Sequence, residues 1–279
     1  VRKKEGVGEM SQKILFVDLD QTLLCDDKSI SQNNRQAIQK MLDEGHYIAL
    51  ATGRSVESGR RVARELGLSR PGCYMIAFNG AVLYDCAADR TLMIRSLPVD
   101  VVQELFERAA RAGIYAQTYN STDVITVKHT KELDYYRSRT HLNYKLVPNV
   151  LDALEEEPQK VLLIDLEHHD RLERFQKRNL HWEKGKCNSL FSCRQYLEYC
   201  PPDTTKGTGV EELTRILNMP LDSTVAVGDE ENDISMIQTA HIGIAVKNGI
   251  PEIRKAADYV TENDNNHDAI AEVIEKFVL

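Results

Sequence analysis

The chain has 279 residues, enough for one large domain or two smaller ones with ample core. Its net charge of -8 argues against nucleic acid as a primary partner, because binding a phosphate backbone needs a basic face, and suits a protein that takes up a divalent cation. Hydrophobic content of 42% with 28% charged residues is that of an ordinary soluble globular protein, and no apolar run approaches a membrane span or a signal-peptide core. The cysteines Cys25, Cys73, Cys86, Cys187, Cys193 and Cys200 form no C-x-x-C pair, so free thiols in a reducing cytosol are expected. Residues 1–9 are polar and glycine-containing, precede Met10, and are expected to be a disordered extension outside the fold.

In chain order, the apolar segment Lys13–Asp18 predicts a buried strand, and Ser31 predicts the N-cap of a helix over Gln32–Glu44 that Gly45 stops. A strand over Tyr47–Ala51, a helix over Glu57–Leu66 ended by Gly67, and a strand over Tyr74–Phe78 follow. Strands separated by single helices imply right-handed crossovers and a parallel sheet covered on both faces. The last third repeats that rhythm: helix Gly209–Leu217, strand Thr224–Val227, helix Asp233–Thr239, strand Ile242–Ala245, helix Pro251–Lys255 and a final helix His267–Phe277.

The middle of the chain has another texture. Helices are predicted at Val99–Ala112, Lys131–His141 and Asp170–Arg178, with short, partly alternating strands at Ile114–Thr118, Val124–Val127, Lys160–Asp165 and Ser189–Cys193. That pattern reads as an α+β insertion whose antiparallel sheet is open to solvent on one face. The fold expected is therefore a doubly wound, mostly parallel α/β core (10–83 and 199–279) interrupted by an α+β cap (84–198), with Pro98 and Pro201-Pro202 near the connections. The functional cleft would lie between them.

The first strand ends in Asp18-Leu19-Asp20, and alternation along an extended chain turns both carboxylates to one side. In open α/β sheets that carboxyl edge is where ligands bind. Two carboxylates there repel each other unless a cation or a shared proton lies between them, so magnesium with one carboxylate free to attack an electrophile is the economical reading. Taken alone, the segment reads as a strand end capped by acids in a solvated turn. Three later segments change that: Leu50-Ala51-Thr52-Gly53-Arg54 at a second strand end, Thr204-Thr205-Lys206-Gly207 before a helix, and Val225-Ala226-Val227-Gly228-Asp229-Glu230-Glu231-Asn232-Asp233 at a third strand end.

In this order and on strand ends, the four segments resemble the motifs of the haloacid dehalogenase (HAD) superfamily of phosphotransferases, whose core is a Rossmann-like sheet. Phe78-Asn79-Gly80-Ala81, Ile244-Ala245-Val246-Lys247-Asn248-Gly249 and Ala256-Ala257-Asp258-Tyr259-Val260-Thr261 narrow the resemblance to Cof-type phosphatases with a type IIB cap. It covers both ends of the chain well, while 84–198 matches in length and mixed character. Gln21 stands where the family commonly has glycine, and Asp268-Ala269 where it has aspartate-glycine.

The resemblance implies a magnesium-dependent phosphatase of small phosphorylated metabolites, in the cytoplasm, working through an aspartyl phosphate. Asp18 is then the nucleophile. Asp20 protonates the leaving alkoxide, later takes a proton from water, and ligates Mg²⁺ through its backbone carbonyl. Thr52 and Lys206 hold the phosphate with Gly53. Asn79 and Gly80 face the substrate, Asn232 hydrogen-bonds the phosphate or supports Asp18, Asp229 binds the metal directly with Asp18, and Asp233 ligates it or orients a coordinated water. Among the other residues, Thr22 is balanced between the turn and the substrate, and Arg54 between a helix-start salt bridge and the cleft. Glu230 and Glu231 are expected to favour the positive end of the next helix. Lys128, His129, Lys131, Arg137, Arg139 and His141 form a basic stretch expected as a solvated helix face, with an anion-greeting role as the alternative. His168-His169 is expected in a surface turn. A phosphomutase, which would re-deliver the phosphate, and a non-catalytic phosphometabolite-binding protein remain as alternatives. Substrate and oligomeric state are not encoded in any readable motif.

Overall fold

The computed structural model describes residues 12–279, so the expectation for residues 1–9 lies outside the described residues. The chain opens with β1 (Ile14–Asp18), α1 (Gln32–Asp43), β2 (Tyr47–Ala51), α2 (Val56–Glu65) and β3 (Cys73–Ala77). A hairpin of β4 (Val82–Asp85) and β5 (Arg90–Ile94) follows. The second region comprises α3 (Val99–Arg111), β6 (Tyr115–Tyr119), β7 (Asp123–Thr126), α4 (Lys131–Thr140), β8 (Asn143–Leu146), β9 (Val161–Ile164), α5 (His169–Glu183), β10 (Asn188–Cys193) and β11 (Tyr196–Cys200). The chain then returns through α6 (Lys206–Leu217), β12 (Thr224–Gly228), α7 (Glu231–Thr239), β13 (Ile242–Ala245), α8 (Pro251–Ala256), β14 (Tyr259–Val260) and α9 (Ala269–Val273).

The first sheet has the order β14-β13-β12-β1-β2-β3-β4-β5, parallel from β14 to β3 and antiparallel beyond. Every residue of β1 is buried, because helices cover both faces of a central parallel strand. Side chains of Leu15 and Val17 enter the cluster under α1 and α9, while Ile14 and Phe16 enter the one under α6 and α7. Ser31 acts as read, accepting from the amide of Asn34 to cap α1, and Ser55, a cap the sequence reading does not name, accepts from the amide of Ser58 and caps α2. Strand order reverses at β1, which pairs with β2 on one side and with β12, reached only after the second region, on the other. The crevice at the carboxyl ends of β1 and β12 is thus the topological switch point where such sheets bind ligands.

The second sheet has the order β10-β11-β9-β6-β7-β8. It is antiparallel except for the parallel pair β7 and β8. One face is covered by α3 and α5 through Val102, Leu105, Leu172 and Phe175. The opposite face is not open to solvent as the sequence suggests. Tyr119, Leu162 and Tyr196 pack with Tyr136 of α4 and Phe78 of the first unit, and all five residues of β6 are buried.

Other departures have local causes. The expected boundary at residue 84 falls inside β4, because the β4–β5 hairpin extends the first sheet; no residue of its outer strand is buried, although Leu92-Met93-Ile94 is apolar. β8, β11 and the two-residue β14 are not visible in the sequence pattern, and α5 runs on to Glu183. The last helix begins only at Ala269, because Asp268 sits at φ 68°, and it loosens into wider turns through Ile274–Val278. Among the described residues no helix is long and apolar enough to cross a membrane.

Candidate active site

The tips of β1 and β12 bring together what the sequence scatters. Asp18 ends β1, Asp229 follows β12, Asp233 lies in the first turn of α7, and Lys206 opens α6. One carboxylate oxygen from each of Asp18, Asp229 and Asp233 lies within 4.8 Å of the others. The Lys206 ammonium, fully buried, donates to Asp18 Oδ1 and to Asp233 Oδ1, both at 2.5 Å. The second oxygen of Asp233 accepts from the amides of Asp229 and Glu230, so the carboxylate is fixed by the capping of its own helix.

Three buried carboxylates with one lysine leave an excess of negative charge. Burial drives the Asp18 carboxyl up, to about 7, against the pull of Lys206. Burial together with Asp18 and Asp233 drives Asp229 well above the usual carboxylate range. Desolvation opposes the charge on Lys206, but the two aspartates outweigh it and hold the ammonium protonated. An all-oxygen donor set with uncompensated charge fits a hard divalent cation such as Mg²⁺. Asp18, Asp229 and Asp233 are the residues that would hold it.

Asp20 lies in a different field. Arg54 grips it with Nε to Oδ2 at 2.8 Å and Nη2 to Oδ1 at 2.6 Å, and Lys28 Nζ adds a contact at 2.8 Å. Burial works to raise its pKa, but the two cations win and hold the carboxyl well below the usual range. Arg54 is therefore a cleft residue, and Lys28 is a partner that no motif announces. Thr22 takes neither expected role: its hydroxyl donates to Asp229 Oδ1 at 2.6 Å. Gln21 adopts φ 61°, a left-handed conformation that explains why glycine suits this position and that glutamine can still reach.

Thr52, Gly53 and Asn232 line the same cavity, of about 150 Å³, as Asp18 and Asp20. Asn79 and Gly80 do not line it. Asn79 is fully buried behind the cavity wall, accepting from Asn232 Nδ2 at 3.0 Å and donating to Glu198 at 2.7 Å. Gly80, at φ 105°, passes so close to the loop before Lys206 that a Cβ would stand 2.1 Å from the Thr205 carbonyl oxygen. The expectation that these two face substrate is corrected: they brace the site from behind.

The second sheet closes the cavity with groups the sequence reading missed. Lys160, Glu198, Tyr136 and Tyr196 line it, and of the basic stretch only Arg139 does. For Lys160 a signal was present, a lysine at the start of an apolar strand; Glu198 lies in β11, which the sequence pattern does not reveal. Elsewhere in the basic stretch, Lys131 pairs with Glu167, His129 with Asp134, and Arg137 lies over the Tyr144 ring. His169 opens α5, a helix where a surface turn is expected, and meets the Arg194 carbonyl. Glu230 caps α7, and Glu231 stands in its first turn.

A family model described as haloacid dehalogenase-like hydrolase matches residues 15–274. Bacillus subtilis YitU, named a 5-amino-6-(5-phospho-D-ribitylamino)uracil phosphatase, is 26% identical, over 96% of this chain and 98% of its own. A haloacid dehalogenase-like hydrolase of Bacteroides thetaiotaomicron superposes with a TM-score of 0.86 at 26% identity, covering 95% of this chain and 99% of its own. BT4131, described as a HAD subclass IIB sugar phosphatase, superposes with a TM-score of 0.81 over 95% and 99%; at 22% identity that likeness is one of fold.

Proposed function

The chain belongs to the haloacid dehalogenase-like hydrolases and is a phosphoric monoester hydrolase, and on that premise we propose that it is a magnesium-dependent phosphatase of small phosphorylated metabolites working through an aspartyl phosphate. The observation that carries this reading is the buried cluster of Asp18, Asp229 and Asp233 around Lys206 at the switch point. Magnesium, when bound there, would neutralise the repulsion between the nucleophile and a phosphate dianion.

Asp18 Oδ attacks phosphorus in line with the leaving oxygen, forming the aspartyl phosphate as the P–O bond to the alkoxide breaks. Lys206, Thr52 and Asn232 hold the equatorial oxygens, a positioning and charge-stabilising role that dominates phosphoryl transfer. Asp20 gives a proton to the alkoxide and takes one from the water that hydrolyses the intermediate. In the arrangement seen, Arg54 and Lys28 keep Asp20 ionised, so it stands ready as the base; acting as the acid requires that clamp to loosen. We assign the chemistry to the unit built on the first sheet, the β4–β5 hairpin included, and leaving-group discrimination to the unit built on the second, with Arg139 and Tyr196 at its cleft face. The ribitylaminouracil phosphate of YitU suggests a polyhydroxylated leaving group. The free state of all six cysteines supports a reducing, cytoplasmic setting.

Hydrolysis of p-nitrophenyl phosphate tests the reading. Activity should vanish with chelator and return with magnesium, and undiminished turnover in chelator would overturn it. Release of free phosphate from a sugar phosphate, without an isomeric sugar phosphate, separates phosphatase from mutase.

A further inference from the structure

A buried ion pair crosses the boundary between the two sheets, and no step of the proposed chemistry uses it. Lys160, immediately before β9, and Glu198, in β11, meet at 2.8 Å with side chains only 2% and 3% exposed. Both belong to the second sheet's side of the cleft, yet each holds a group of the first. Lys160 Nζ donates to the Gly53 carbonyl at 2.6 Å, in the loop that carries Thr52 and Arg54. Glu198 accepts from Asn79 Nδ2 at 2.7 Å and from Ser192 Oγ, and Asn79 in turn accepts from Asn232 Nδ2 at 3.0 Å. A Cβ on Gly53 would lie 3.2 Å from the Asn79 amide and 3.3 Å from Glu198, so these groups form one packed unit.

A buried pair costs desolvation, and many such pairs add little to stability. This one is saturated with partners, and the rings of Phe78 and Tyr119 flank the ammonium at 5.6 and 5.3 Å. Lys160 Nζ and both carboxylate oxygens of Glu198 each have a partner within the protein, which suits a registering element. Apart from the Ser192 contact within the second sheet, the hydrogen bonds run toward Gly53 and, through Asn79, Asn232, which line the cavity beside Asp18.

We propose that Lys160 and Glu198 are positioning residues for phosphoryl transfer, setting Gly53 directly and Asn232 through Asn79, so that the phosphate-binding groups take their working places only when the second unit is docked. This rests on the phosphatase reading, whose own test is turnover by the parent protein. Given that turnover, the pair acts on the phosphate end of every substrate, whereas Arg139 and Tyr196 would act on the leaving group.

The experiment compares the parent with Glu198→Gln, Lys160→Met and the charge-balanced double variant Lys160→Met/Glu198→Gln. Each is assayed on p-nitrophenyl phosphate and a hexose phosphate, with inhibition by orthovanadate. A misplacement of about 1 Å away from the chemistry can cost about 100-fold, so kcat/KM should fall about 10- to 100-fold, equally on both substrates. The vanadate inhibition constant should rise in the same proportion in whichever variants keep the parental circular dichroism and melting curve. The double variant removes the risk that a lone buried charge unfolds the protein. Folded variants with kcat/KM within about 2-fold of the parent and unchanged vanadate inhibition would overturn the proposal. So would a loss confined to the hexose phosphate, which would make the pair a leaving-group contact.

Discussion

Asp18 and Asp20 stand two residues apart and in opposite electrostatic fields. Asp18 is buried against two other carboxylates and one lysine; Asp20 lies between an arginine and a second lysine. Such divergence within a pair is how one fold assigns separate roles to like groups. Asp18→Asn should abolish a trappable phosphoenzyme, because an amide is a poor nucleophile; Asp20→Asn should slow turnover by about 10²–10⁴-fold and leave the intermediate detectable. Phosphoenzyme in the Asp18→Asn protein would show the nucleophile misassigned. The same fields set a pH dependence. An unfolded aspartate titrates near 3.8, whereas Asp18 in the fold holds its proton to about 7. Between those values the folded metal-free protein binds more protons than the unfolded chain, so its stability falls as pH rises through that window. Magnesium binding should release protons there and cancel the loss. Melting curves across pH with chelator or magnesium, and calorimetry in two buffers of different ionisation enthalpy, test both statements.

At the scale of elements, the helix that carries Lys206 is set by contacts behind it. Thr205 and Thr208 form the N-terminal capping box of α6, and Gly80 presses against the Thr205 carbonyl. Thr205→Ala should cost about 1 kcal/mol, as lost caps do. Gly80→Ala has less room, since its Cβ must displace backbone. It should destabilise by about 1–3 kcal/mol through overpacking and lower kcat by shifting the start of α6. Denaturant unfolding and kinetics on the folded fraction read the two effects apart; a Gly80→Ala protein of parental stability and rate would show that the approach is not tight.

For the whole molecule, the consequence is a division of labour across the cleft. Arg139 lines the cavity, while Arg137, two residues earlier, donates to the Leu142 carbonyl and lies over Tyr144. Reversing Arg139 to Glu should lower kcat/KM about 10- to 100-fold for a substrate with a second anionic group, the scale of one charged hydrogen bond, and change p-nitrophenyl phosphate little. Arg137→Glu should change neither. Equal losses on both substrates would mean damage to the core chemistry instead. If the unit of the second sheet forms a lid, crystals with and without a phosphate analogue should differ in the angle between the two sheets, and the Lys160–Gly53 contact should open with it.

The order of β1 to β3 and of β12 to β13, the cap at Ser31, and the strand-end positions of Asp18, Thr52 and Asp229 were all legible in the chain. Each rests on a local signal: an apolar run, a capping residue, or an acid where the run stops. Tertiary structure alone decided what those residues meet. Lys206 contacts Asp18 across 188 positions and Asp233 across 27, and Asn79 reaches Glu198 across 119. Nothing local told Asn79 and Gly80 to brace the site rather than face it, or turned Lys28 and Arg54 onto Asp20. The second sheet was hardest to read because charged residues stand where it meets the first unit: Lys160 and Glu198 are buried against Gly53 and Asn79, which are remote in sequence. Sequence periodicity reports whether a face is apolar, and a face satisfied by ion pairs and hydrogen bonds across a cleft leaves the same pattern as one facing water.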